Sequence, residues 1–150
     1  MTASYFVKRA EWGLHVRLQG ALAREQRDGI VRRIEDHCAE FAVGNEPWSS
    51  LIEFDHFEAD DFRPEMVVAL MRLARRCGHQ RSAVVMTDWH WASAMADAMI
   101  TAGTDDQVRI FVQAVRRADG GHGREDLSGL DGAMAWVLHG GAVPMVSKAA

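Results

Sequence analysis

Three short apolar runs at near-regular spacing constrain this chain more than anything else in it: Leu51-Ile52-Glu53-Phe54, Ala83-Val84-Val85-Met86 and Val108-Arg109-Ile110-Phe111-Val112. Each has strand length, and a helix-like segment separates each from the next. Such alternation builds a mostly parallel sheet covered by crossover helices, so the fold class expected is α/β. With 150 residues the chain is about one domain, long enough to bury a core. That domain is expected over 1–141, with 142–150 as a flexible tail.

The flanking segments extend the pattern. Phe6-Val7-Lys8-Arg9 and Leu14-His15-Val16-Arg17-Leu18 flank a Trp12-Gly13 turn and predict an antiparallel hairpin, the second strand alternating apolar and polar residues. From about Ala21 to Val43, Ile30, Val31, Ile34, Cys38, Phe41 and Ala42 recur at helical spacing, with Gly44-Asn45 and Pro47 as the stop. Pro64 suits the first turn of a second helix, whose inner stripe is Met66, Val67, Leu70, Leu73, Ala74 and Cys77 before Gly78. Thr87 or Asp88 caps a third, with Ala92, Met95, Ala96, Met99 and Ile100 facing inward. After Val112 the pattern weakens: 118–129, rich in Gly and charge, predicts a mobile loop, and Ala133 to Leu138 a short last helix.

Charge and cysteine usage narrow the function classes. The formal net charge is -4, and lysine occurs only at Lys8 and Lys148, which argues against nucleic acid as a partner because phosphate neutralisation needs clustered basic residues. No apolar run reaches the roughly 18 residues of a membrane span, so no integral membrane segment is expected. Met1 to Tyr5 lacks a basic start and an apolar core, so no secretory signal is expected either. Cys38 and Cys77, each late in an expected helix, fit two core positions in a reducing compartment, which predicts a cytoplasmic protein.

Several stretches together resemble the SpoIIAA-like proteins of the STAS group (sulfate transporter and anti-sigma-factor antagonist). They are Ser50-Leu51-Ile52-Glu53-Phe54 with its acidic continuation, Arg81 through Trp89, Val108-Arg109-Ile110-Phe111, and Ala133-Met134-Ala135-Trp136-Val137. The resemblance runs from about Ser4 to Leu138. It implies a βα superhelix: four or five mostly parallel strands with an antiparallel N-terminal hairpin, packed by about four helices. It also implies a cytosolic binding or regulatory module without catalysis of its own. Phospho-regulated members carry Ser or Thr just after the second core strand. The segment from Glu53 to Pro64 contains neither, so the phospho-switch is not carried over. CRAL-TRIO lipid-transfer domains have a similar architecture, which makes a carrier of a lipid or other apolar small molecule the alternative.

Two clusters are candidate sites. Asp55, His56, Glu58, Asp60 and Asp61 crowd the approach to Pro64. Carboxylates at a helix N-terminus are favoured by its free N–H groups, so a cap in a solvated loop is the plain account. The functional account is a fixed acidic recognition surface where relatives carry the phosphorylated residue. Thr87, Asp88, Trp89 and Trp91 come directly after a strand, at the carboxyl end of a parallel sheet where ligands usually sit. Trp89 and Trp91 lie on different helix faces, so one core Trp and one surface Trp is the plain account. A partner patch, or an apolar pocket lined by Met95 and Met99, is the functional one. Asp55, His56 and Asp60 lack the spacing of a metal motif, and no cofactor loop or catalytic signature occurs, so no metal, cofactor or enzymatic reaction is expected. The partner is then an unknown protein or a small apolar ligand. The assembly is a monomer or homodimer, the exposed edge strand Phe6 to Arg9 offering a pairing surface.

Overall fold

The computed structural model describes residues 3–58, 64–113 and 130–148. In chain order the elements are β1 (Ser4–Ala10), β2 (Gly13–Ala21), α1 (Arg24–Gly44), β3 (Trp48–Glu58), α2 (Pro64–Arg76), β4 (His79–Met86), α3 (Trp89–Ala102), β5 (Val108–Val112), α4 (Asp131–His139) and β6 (Val146–Lys148). The strands form one sheet in sequence order. The β1–β2 hairpin is antiparallel and every later pairing is parallel. The fold is therefore α/β, a mostly parallel sheet with an antiparallel N-terminal hairpin.

The alternation of side chains along the strands divides the core in two. Leu14, Val16, Leu18, Phe54, Val84, Met86, Val108, Ile110 and Val112 face α1, α2 and α3, which bury Ile30, Cys38, Phe41, Val68, Met71, Ala74, Met95 and Met99 against them. Leu51, Ala83, Val85 and Phe111 face the other way and meet Leu130, Ala133, Trp136 and Val137 of α4 and its approach. The sheet centre is thus covered on both sides, which is why Ala83-Val84-Val85-Met86 reads as an unbroken apolar run. α4 therefore covers the sheet face opposite the one covered by the three helices before it.

Three expectations are revised. β3 runs on to Glu58, so the start of the acidic stretch is strand and not loop: Gln19 sits beside Asp55, and Ala21 beside Glu58 after a register shift. The segment expected as a free tail supplies β6, where Val146, Ser147 and Lys148 pair with Ile110, Phe111 and Val112. Three residues of strand carry too little periodicity to stand out in a sequence. The sheet consequently has six strands rather than four or five. The expected glycine-rich loop at 118–129 lies outside the described residues.

Candidate functional site

The carboxyl edge of the parallel strands gathers the ends of β3 and β4. At β4, Asp88 stands at φ -122°, ψ 118° and caps α3: its Oδ1 accepts from the His90 N–H at 2.7 Å and the Trp91 N–H at 3.3 Å. The cap satisfies donors that a helix start leaves free. It also sets the directions of the two tryptophans in the first turn. Trp91 turns inward, half-buried against the main core, while Trp89 is 53% exposed. Thr87 is half-buried between strand and cap.

At β3, Asp55 lies on the sheet face opposite α1 and pairs with Arg17 of β2, 2.7 Å from Nη2 to Oδ2. Two residues back along the same two strands, His15 Nε2 lies 2.5 Å from Glu53 Oε2, and Phe6 packs edge-on against the His15 ring. His15 and Arg17 stand in a row along β2 and Glu53 and Asp55 in a facing row along β3, because each strand turns alternate residues to this face. Sequence reasoning placed Glu53 and Asp55 in an acidic run and gave His15 and Arg17 no role. The positions are 38 residues apart in the chain, and only the β2–β3 register joins them. His56 and Glu58 belong to β3, and Asp60 and Asp61 lie outside the described residues. Among the described residues no cluster of three or more His, Cys, Asp or Glu could hold a metal ion.

Met95 and Met99 belong to the main core cluster. Both have 0% exposure in the core under α3, and Thr104 Oγ1 lies 3.2 Å from Met99 Sδ. An apolar cavity of about 90 Å³ lies elsewhere, between α1, α2 and the sheet, lined by Val16, Ile34, Trp48, Ile52, Val67 and Met71 among others. The surface its walls expose is apolar, although Ser50 and His79 also line it, and Ile34, Ile52 and Val67 are only half-buried, so it opens between the helices. A cavity of about 150 Å³ takes a benzene. This one is smaller and takes a short alkyl segment unless α1 and α2 part.

Part of that cavity's wall is a buried polar chain that no local sequence pattern announces. Ser50 Oγ donates to Ser82 Oγ at 2.8 Å and lies 2.9 Å from His79 Nε2. Burial pushes the His79 imidazole down to about 4, only partly offset by the Arg81 backbone. A Ser–His contact serves nucleophilic catalysis when the histidine can accept the hydroxyl proton near neutral pH. With its imidazole held at about 4, His79 is a weak base at neutral pH, and the buried contact ties β3 to β4.

Neither a family model, nor a curated protein, nor a solved structure matches this chain. Among the described residues, no helix is long and apolar enough to cross a membrane.

Proposed function

We propose that this chain is a SpoIIAA-like, STAS-type cytosolic module that acts by binding, with no reaction of its own, and that its partner is a protein met at the carboxyl edge of the sheet around Trp89. One observation carries the reading: a large aromatic is held 53% exposed by the capped start of α3, at the sheet end where this class of architecture recognises ligands. Exposed tryptophan is the residue type most enriched among interface anchors. Asp88, the cap of α3, and the Arg17–Asp55 ion pair border the same edge. The test is partner capture from host extract by the wild-type chain and by Trp89→Ala. Capture that disappears with Trp89→Ala supports the reading; a partner set unchanged by it removes this surface.

The cavity between α1 and α2 favours a second reading, a carrier of a small apolar molecule. The surface exposed inside it is apolar, and the two polar residues that line it, Ser50 and His79, are bonded to each other, so an alkyl tail enters and the head stays outside. Trp48 lines the cavity and stacks on Phe41, with centroids 4.5 Å apart, which makes it a reporter. Titration with octanoate is expected to shift tryptophan emission in the wild type and not in Trp48→Phe. A flat wild-type response would count against the carrier.

A further inference from the structure

The sequence presents its two cysteines as unrelated core positions. The fold brings them together. Cys38 is 1% exposed on the inner side of α1, Cys77 comes directly after α2 and packs against the same core cluster, and the two side chains are near enough for Cys77 to raise the Cys38 thiol. Their surroundings hold them there. Phe41, one turn after Cys38, stacks on Trp48, and Trp48 Nε1 donates to the Cys77 carbonyl at 3.0 Å. The Cys77 N–H donates to Ala74 O at 2.8 Å, and Gly78, at φ +95°, then turns the chain into β4. The thiols differ in access. Cys77 is half-buried and lines an open cleft of about 410 Å³ beside Asn45, Pro47 and Arg76, whereas Cys38 lies behind it in the core.

We propose that Cys38 and Cys77 form a peroxide-responsive dithiol site whose oxidation ties α1 to the end of α2. The Cys77 sulfur attacks hydrogen peroxide; an S–O bond forms, the O–O bond breaks, and water leaves, giving the sulfenic acid. Cys38 then loses its proton to solvent and attacks the Cys77 sulfur. The S–S bond forms, the S–O bond breaks, and hydroxide leaves as water after taking a proton. In sum the two thiols give up two electrons and two protons, and the peroxide becomes two waters.

The environment sets this order. Burial, with contributions from Cys77 and Glu35, pushes the Cys38 thiol up to about 12, so Cys38 is a poor first nucleophile. Conversion of Cys77 to a neutral sulfenic acid removes its share, but burial remains. Closure of the disulfide is therefore the slow step, and it quickens about tenfold per pH unit while the Cys38 thiolate is the minor form. The bridge would restrain the two helices that wall the apolar cavity.

The test treats the full chain with hydrogen peroxide at several pH values, blocks free thiols, digests without reductant and reads the peptides by mass. The expected product is a Cys38–Cys77 linked peptide two hydrogens lighter than its parts, closing faster as pH rises. In Cys38→Ser, Cys77 is expected to stop at a dimedone-reactive sulfenic acid or run on to sulfinic acid. Sulfinic acid forming at Cys77 as fast in the wild type as in Cys38→Ser would overturn the proposal, as would bridges only between chains. The wild-type linkage decides it alone if the variant does not fold.

Discussion

His79 shows what one buried side chain does to the whole chain's response to acid. Its folded-state value is lowered to about 4, against 6.5 for the free group. Between those values the unfolded chain binds a proton that the folded chain refuses, so stability is complete above about pH 6.5 and falls as the pH drops towards 4. The shift corresponds to roughly 3 kcal/mol over that window. Urea unfolding at pH 7 and pH 4.5 is expected to show this loss in the wild type and a smaller one in His79→Gln, which cannot titrate. Equal losses would mean that His79 is not held neutral. Gly13 is a second residue with no freedom: φ is +146°, and a Cβ there would lie 1.8 Å from the Ser49 carbonyl oxygen. Gly44, at the end of α1, has nothing within 4 Å of the same position and no positive φ. Gly13→Ala is expected to cost at least about 3 kcal/mol in a melting experiment, because a backbone contact must break. Gly44→Ala should be neutral or stabilising by up to about 1 kcal/mol. A mild Gly13→Ala would show that the hairpin can shift away from β3.

Among the elements, α3 joins local chemistry to the proposed surface. Removing the Asp88 carboxylate in Asp88→Ala is expected to cost about 1 kcal/mol, with Asp88→Asn retaining most of the cap. Trp89→Ala, on an exposed side chain, should change stability by less than about 0.5 kcal/mol, so that any binding loss there is not a folding loss. Chemical denaturation of the three variants separates these effects. The cap and the helix were legible in the sequence, because Thr87-Asp88 precedes an apolar period and Gly103 closes it. So were β4 and β5, whose runs are buried on both faces. The end of β3 was not: after Phe54, the polar residues Asp55, His56 and Glu58 look like loop, and pairing with β2 makes them strand. Of the inward stripe expected for α3, Ala92, Met95, Ala96 and Met99 are buried while Ile100 is exposed, and whether Met95 and Met99 line a pocket or fill a core depends on what packs opposite them. Tertiary packing settled that as core.

For the whole molecule, the architecture was readable because alternation of strand and helix leaves few arrangements open. The site was readable only in part. Trp89 and Asp88 are adjacent in sequence and their roles come from helix geometry. The His15–Glu53 and Arg17–Asp55 pairs, the Ser50–Ser82–His79 chain and the Cys38–Cys77 contact all join residues far apart in sequence. They exist because of register and helix placement that no local pattern encodes. The same holds for the cavity, which is the space left where α1 and α2 cover one sheet face. α3 also provides its own control for the binding reading. Trp89 and Ile100 are about equally exposed, at 53% and 55%, at opposite ends of the same helix. The most direct measurement is partner capture by the wild type, Trp89→Ala and Ile100→Ala in parallel. A surface at the carboxyl edge predicts a partner lost with Trp89→Ala and kept with Ile100→Ala. Retention by both variants, or loss from Ile100→Ala alone, would contradict it.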